Sequence, residues 1–544
     1  MKTDKHSALQ LTLSNRSNDG VGETIEIPSL NGLDDAILRA QGHEAVLPRS
    51  FSWWGAIGLG YSITNSWMSY TSCFGTTLAN GGPQAVVIAV VVAGIIQWII
   101  TLGLSELASA FPSSGGQYHF TYILAPEKHR NFAAFAVGTL NVIAWWIVTC
   151  SGISLGTIST LGMISFWNPS FQATKWQTYL IFDLGIILTR KPVFSPICMI
   201  PIFLIPNRHM GRMTQFCLHL SLVGFLLVFI TILAMCDNFQ SGSTIAKQGS
   251  NSSGWPDGIA WILGIGNALY AYGGTDAVIH ISEEITHPGK RLPQVMNTTM
   301  LIGVVTTVPL AVAYMFCIQD VDAVIASPLP SMELFYQATG SKVMATFLQA
   351  WTTAVYYSAL PSQWITCGRM TWAFARDKGL PLSAYWVEIN ERFQLPLRTT
   401  ILSACFCAIY GLLYIASTAA FNSIITTAVL ALNITYCVPQ GICAMYGRSK
   451  LPRRHLDLGK WGYIPNFFAP LWVVIIGTFF CLPGSLPVAA DSMNYTSAVL
   501  AALLLFILGL WAFQRRHFDG PTIDWSLLNE LNAVDDEHPT SVVN

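Results

Sequence analysis

The sequence predicts an all-α polytopic membrane protein, and three observations carry that prediction. Hydrophobic residues make up 52% of the 544 positions. Charged residues make up only 10%, against about 25% in an ordinary soluble protein, too few to build a solvated shell. The apolar residues also come in long runs, and about 20 such residues at about 1.5 Å each cover a hydrocarbon core of about 30 Å. The same composition excludes a soluble enzyme and a secreted domain. With 28 basic and 29 acidic residues the net charge is −1, so no basic field exists to hold nucleic acid.

Three segments follow in order: a cytosolic amino-terminal segment over 1–50, a transmembrane domain over 51–513, and a cytosolic tail over 514–544. The chain is polar to about Arg49, and its first thirty residues have a disordered composition. Asp34–Leu47 has the pattern of a short amphipathic helix. No signal peptide precedes the first apolar run, so the amino terminus is expected in the cytosol. Eleven clear spans are expected. They fall near Trp54–Thr77, Ala85–Ala108, Phe132–Met163, Met213–Met235, Ile259–Ile281 and Met300–Ile318, then near Met344–Thr371, Thr400–Ala416, Phe421–Tyr446, Phe467–Cys481 and Ser497–Trp511.

The stretch Trp176–Pro206 fits less well. It contains Asp183, the adjacent cations Arg190 and Lys191, and four prolines after Thr189. Two cations at mid-bilayer cost several kcal/mol. One reading is a kinked or interrupted span, which completes an even count of twelve; the other is an extra segment retained by a wrong splice choice. Orientation comes from the basic residues. With the amino terminus inside, inner loops carry Lys128, Arg130, Lys290, Arg291, Arg376, Lys378, Arg392, Arg398, Arg448, Lys450, Arg453 and Arg454, and Arg515 and Arg516 lie at the inner end of the last span. Outer loops carry little beyond Lys175, Lys247 and Lys342. Asn251-Ser252-Ser253 is an acceptor for N-glycosylation in an outer loop.

Two spans are interrupted by glycine. The first reads GAIGLGYSITNSW, from Gly55 to Trp67. The fifth clear span reads ILGIGNALYAYGGTDAVIHISEE, from Ile262 to Glu284. Gly weakens a helix, so small-residue packing is one explanation for each segment alone. Two such spans at corresponding places in two halves point instead to an inverted-repeat transporter, whose broken helices bind a small solute near the midplane. Asp276, His280 and Glu283/Glu284 share one helical face. A carboxylate inside a membrane is costly, so Asp276 should face the bundle interior or water. It is a candidate for coupling to a proton or for pairing with an amine, with a structural hydrogen bond as the alternative. Glu283 is a coupling or gate candidate, and the other reading for Glu283 and Glu284 alike is a solvated helix end beside Lys290 and Arg291. Glu106 reads as a coupling or gate group, or simply as a salt-bridge partner closing the second span. Trp145, Trp146, Tyr356 and Tyr357 either line a pocket, where they can hold a cation, or pack the bundle. No G-x-x-x-x-G-K-[ST] or H-E-x-x-H occurs, so no ATP-driven pump or metalloprotease is indicated, and no enzyme is expected. The twelve cysteines form no C-x-x-C pair, so no metal site, cofactor or disulfide framework is expected.

These pieces together resemble the amino acid–polyamine–organocation superfamily, and within it the fungal amino acid/choline permeases. The residues that carry the resemblance are DDAILRAQGHEAVLPRSFSWWGAIGLGYSITNSW, NGGP (Asn80–Pro83), SELASAFPSSGGQY, YAYGGTDAVIHISEEITHPGKRLP and WAFARDKGLPLS (Trp372–Ser383). The resemblance implies twelve transmembrane helices, the first ten as a five-plus-five inverted repeat, with helices one and six broken. It implies proton-coupled secondary uptake of a small amino acid, amine or choline-like solute. By position, it places the solute's polar end at Gly58, Gly60 and Ser62 and its body at Tyr272 and Gly273. The family's plain fourth helix is not matched around Asp183–Pro206. The expected partners are the solute, a proton and the lipid bilayer, in the plasma membrane rather than the vacuole, with both termini cytosolic. A nutrient sensor with a transporter body, or a permease inactivated by its fourth span, are the other readings.

Overall fold

Inside hydrocarbon, backbone N–H and C=O groups are satisfied only by helices or a closed barrel, and the apolar runs here are helical. The structure is a computed structural model that describes residues 9–12, 24–27, 30–44, 46–187, 207–246, 251–416, 418–488, 493–521 and 523–527. Two short strands, β1 (Leu9–Thr12) and β2 (Thr24–Ile27), pair antiparallel where composition predicts disorder. Helix α1 (Leu30–Ala40) buries Ile37 and Leu38. It stops short of the expected Leu47, and the chain turns at Gly42, whose φ of 85° suits only a residue without Cβ.

The first expected span is two helices. In α2 (Trp53–Thr64) the Ser52 hydroxyl accepts the Gly55 N–H at 3.2 Å. The helix ends at Asn65, in the left-handed region with φ 37° and ψ 54°. Asparagine tolerates that conformation, but a helix cannot pass through it. The chain restarts at once as α3 (Ser66–Ala110), which itself kinks at Gly81 and Gly82 before Pro83. Gly82, with φ 68° and ψ −165°, is the turn between the first and second expected spans.

Helices α4 (Gln117–Leu124), α5 (Glu127–Trp167), α6 (Lys175–Ile187) and α7 (Asn207–Met235) follow. Most of the anomalous fourth span, residues 188–206, lies outside the described residues, and with it both readings of that stretch. The expected span Ile259–Ile281 is also discontinuous. It runs as α8 (Asp257–Ala268), a 3-10 turn over Leu269–Tyr272, an irregular segment through Gly273 and Gly274, and a second 3-10 turn over Ile279–Glu284. The bundle is completed by α9 (Pro288–Cys317), α10 (Lys342–Arg376), α11 (Leu397–Gly411), α12 (Thr418–Ile442), α13 (Tyr463–Phe480) and α14 (Thr496–Gln514).

Among the described residues, seven stretches are long and apolar enough to cross a membrane. Seven is fewer than the eleven clear spans expected, for physical reasons. Trp53–Ala110, 58 residues long, joins two of them. Leu397–Gly411 is apolar but short, α8 is cut off by its break, and Lys342–Arg376 is long but too polar to be counted. The packing is inside out relative to a soluble protein. Ile95, Val305, Val474 and Leu505 are exposed, whereas Gln97, Gln117, Asn141 and Arg369 are buried. Exposed apolar side chains around a polar interior suit a lipid solvent. Close backbone approach fixes α2 in this bundle: a Cβ at Gly58 would lie 2.6 Å from the Thr214 carbonyl carbon of α7.

Candidate functional site: where the two breaks meet

The break at Asn65 leaves the N–H groups of Ser66, Trp67 and Met68 ahead of the first hydrogen bond of α3, in which Ser69 N donates to Asn65 O at 2.9 Å. The second break lies directly opposite. Gly273 has ψ 158° and Gly274 has φ 77°, so the chain leaves helical geometry over two residues. A Cβ at Gly274 would sit 3.1 Å from Cγ2 of Ile63, in the last turn of α2. The two breaks therefore touch.

A small cavity of about 50 Å³ opens beside them. Thr64, Met68 and Ser69 line it from the first break, and Tyr270, Gly273 and Gly274 from the second. Tyr356 and Gln363 of α10, with Asn433 and Tyr436 of α12, close the far wall. The three tyrosines present rings rather than free hydroxyls. Tyr356 OH donates to Met68 O at 3.2 Å, Tyr436 OH donates to Asp276 Oδ1 at 2.5 Å, and Tyr270 OH bonds Ser151 Oγ at 2.7 Å.

Asp276 lies just beyond the second break and is wholly buried. Its Oδ2 accepts from Gln117 Nε2 at 2.7 Å and from Trp145 Nε1 at 3.1 Å, while Oδ1 accepts from Tyr436. The amide of Gln117 is oriented in turn by Asn141 Nδ2, which donates to Gln117 Oε1 at 3.1 Å. His280 completes the shell. Its Nδ1 lies 3.0 Å from the Ser114 carbonyl oxygen, which can only accept, so Nδ1 carries a hydrogen. Its Nε2 lies 3.2 Å from Asp276 Oδ2. A hydrogen on either group would let these two atoms hydrogen-bond, and the Asp276–His280 pair lies next to the cavity.

The other acidic candidates anchor ion pairs at one end of the bundle. Glu284 accepts from Arg369 Nε at 2.6 Å, with both side chains wholly buried. Glu283 accepts two bonds from Arg376, at 3.0 and 3.1 Å, and one from Ser114 N at 3.2 Å. Neither is the solvated helix end beside Lys290 and Arg291 that the sequence also allows, because α10 supplies its own arginines to them. Glu106 accepts from Arg448 at 2.8 and 2.9 Å, from Arg454 at 2.7 Å and from Leu458 N at 3.1 Å. The amino-terminal segment docks on the same end. Phe51 N donates to Glu284 O at 3.0 Å, and His43 Nε2 meets Asp377 Oδ1 at 3.0 Å. Burial works to raise the Asp377 carboxyl, but His43 and Arg376 outweigh it and hold that group below the usual carboxylate range. Burial, aided by His43, pushes the neighbouring His119 imidazole well below its usual range.

The remaining sequence candidates are distributed as follows. Gly273 lies in the cavity wall, and Asp276 lies behind it, reached through Tyr436. Gly58 packs on α7, and Gly60 faces Val278 and Thr299. The Ser62 hydroxyl donates to Ser362 Oγ at 2.7 Å, and the Tyr272 ring packs near Gly94 and Gly303. Tyr356 lines the cavity and Trp145 serves Asp276, whereas Trp146 Nε1 donates to Thr371 Oγ1 at 3.0 Å. Asn251 is half-buried, and its Nδ2 donates to Trp255 O at 2.5 Å. Sequence reasoning missed Gln117, Gln363, Asn433, Tyr436 and Arg369. Four of them carried a usable signal: Gln363, Asn433 and Tyr436 are polar groups within expected spans, and Arg369 is the one charge in the expected span Met344–Thr371. Gln117 follows the loop glycines and had no such signal.

Comparison with known proteins gives a consistent picture. The amino acid permease family matches residues 51–508. A choline transporter of Saccharomyces cerevisiae is 30% identical over 494 residues, covering 90% of this chain and 85% of the relative. A swainsonine transporter of Arthroderma benhamiae is 26% identical, covering 91% of this chain and 98% of its own. The 7-keto 8-aminopelargonic acid transporter of Saccharomyces cerevisiae is 25% identical, covering 88% of this chain and 95% of its own.

Proposed function

The chain belongs to the amino acid permease family, and from that premise we propose that it carries a small amino acid, amine or choline-like solute by proton-coupled alternating access. The observation that supports this most is the meeting of two broken helices at one cavity, with the buried Asp276–His280 pair behind it. In this reading twelve helices cross the bilayer, the first ten as a five-plus-five inverted repeat, with both termini cytosolic. The membrane is the plasma membrane.

The solute enters the cavity between the breaks. The free N–H groups at the start of α3 and the partial positive charge of that helix end face any anionic or polar group it carries. Gly58, Gly60 and Ser62 shape this end from behind, through the packing of α2, and Tyr272 and Gly273 shape the second break. The inner side is closed by Arg369–Glu284, Arg376–Glu283 and the Glu106 cluster. Glu106 and Glu283 therefore act as gate groups whose pairs must part for release. Asp276 and His280 take the coupling proton from the outer side and lose it when the inner side opens, because loaded solute and proton together favour closure around the cavity.

An uptake panel of labelled amino acids and amines, in cells stripped of their own permeases, tests this reading. The expected result is concentrative uptake of one class that collapses with a protonophore. Normal surface protein without uptake of any member would contradict transport and leave the sensor reading standing.

A further inference from the structure

The cavity carries a polarity that points to the chemistry of its solute. Gln363 and Asn433 are each more than nine-tenths buried, and both line the cavity. Gln363 Oε1 and Asn433 Oδ1 have no hydrogen-bond partner among the described residues. The orientation of Asn433 is fixed by its other end: Nδ2 donates to the Val429 carbonyl at 2.9 Å, and a carbonyl can only accept. Its Oδ1 is therefore a buried acceptor awaiting a donor. Gln363 presses against α5, where a Cβ on Gly152 would come within 2.6 Å of Oε1. The hydroxyls nearby cannot serve these acceptors. Ser69 Oγ donates to Thr64 O, Thr64 Oγ1 donates to Gly60 O, and the hydroxyls of Tyr356 and Tyr436 are committed to Met68 and Asp276. Besides the N–H groups at the start of α3, the lining residues bring two unpartnered amide oxygens and three aromatic rings, with no ionised side chain among them.

We propose that this cavity selects a protonated amine by its N–H groups, with Asn433 Oδ1 and Gln363 Oε1 as the specificity-determining acceptors and the rings of Tyr270, Tyr356 and Tyr436 around the charge. The proposal rests on the reading of the cavity as the solute site. A primary ammonium brings three donors and a positive charge, which matches two acceptors and a ring wall. A quaternary ammonium brings the charge without donors and leaves both acceptors buried and unpaired. A site built to hydrogen-bond a group rejects an analogue lacking it far more strongly than a hydrophobic pocket rejects an extra methyl group.

The test is a methylation series on one skeleton: ethanolamine and its N-methyl, N,N-dimethyl and N,N,N-trimethyl derivatives. Each is measured for uptake and for competition with the others, in permease-deficient cells and normalised to surface protein. The half-saturation concentration should rise with each methyl group, by about tenfold or more from the primary to the quaternary member. Asn433→Leu should bring the four within about threefold of one another, chiefly by weakening the primary amine, whereas Asn433→Asp, which keeps an acceptor, should preserve the order. A wild-type protein that takes the quaternary member as well as the primary one would overturn the proposal, and so would an Asn433→Leu variant that keeps the wild-type ratio. Transport of uncharged or anionic solutes with none of the series recognised would also overturn it while sparing the permease reading. Absence of all uptake at normal surface level would instead remove that reading itself. The wild-type series decides the matter even if the leucine variant fails to fold.

Discussion

Asp276 has donors around it from helices α4, α5 and α12 and from its own segment, and this shell shows why a carboxyl survives inside the bundle. Gln117, Trp145 and Tyr436 donate to it, and His280 Nε2 lies 3.2 Å from its Oδ2. Arg369 and Glu284 present the complementary case, an ion pair with no solvent exposure. Removing one partner of such a pair leaves a bare buried charge and costs about 3–5 kcal/mol, whereas replacing both together costs much less. Arg369→Met should therefore lower the melting temperature of the detergent-solubilised protein sharply, and Arg369→Met with Glu284→Gln should recover most of the loss. A double variant as unstable as the single one would show that the pair is not the source. Gly274 supplies a second test at this scale. An alanine there meets a φ of 77° and a Cβ position 3.1 Å from Ile63. The conformation alone costs about 1–2 kcal/mol, so Gly274→Ala should reduce uptake more than surface level, and unchanged uptake would mean that the break tolerates a side chain.

At the scale of elements, the two discontinuities are what the sequence made most legible and least exact. The glycine-rich motifs place a weak point in each span, but the structure puts the first break at Asn65, five residues beyond Gly60. The reason is chemical: Gly58 is used to bring α2 onto the Thr214 backbone, and the left-handed turn falls to an asparagine whose Oδ1 accepts from Ser221 Oγ at 2.6 Å. Asn65→Gly should keep transport because glycine adopts the same turn freely, and Asn65→Leu should abolish it at normal surface level. Equal transport by both variants would separate the break from function. The second break was read at Gly273-Gly274 and lies there. The roles of Glu106, Glu283 and Glu284 were harder to read, because their arginine partners stand between 85 and 348 positions away. A single sequence shows that such carboxylates need partners and cannot say which cations the fold will bring.

At the scale of the whole molecule, the exposed apolar belt and the polar interior follow from composition, whereas the pairing of distant helices around the cavity does not. The orientation proposed from the basic residues has a direct check. A flexible loop bearing a glycosylation sequon, inserted beside Asn251, should be modified in the secretory pathway, and the same loop beside Lys378 should not. The reverse pattern would invert the topology. The proposed coupling places a proton on Asp276 and His280, and its most direct test is solute-driven proton movement in proteoliposomes with a pH-sensitive dye inside. For wild-type protein, adding the transported solute outside should acidify the lumen. Asp276→Asn, reconstituted at equal density, should bind solute but give no acidification at any external pH. Wild-type acidification by the asparagine variant, with unchanged pH dependence, would show that Asp276 does not carry the coupling proton.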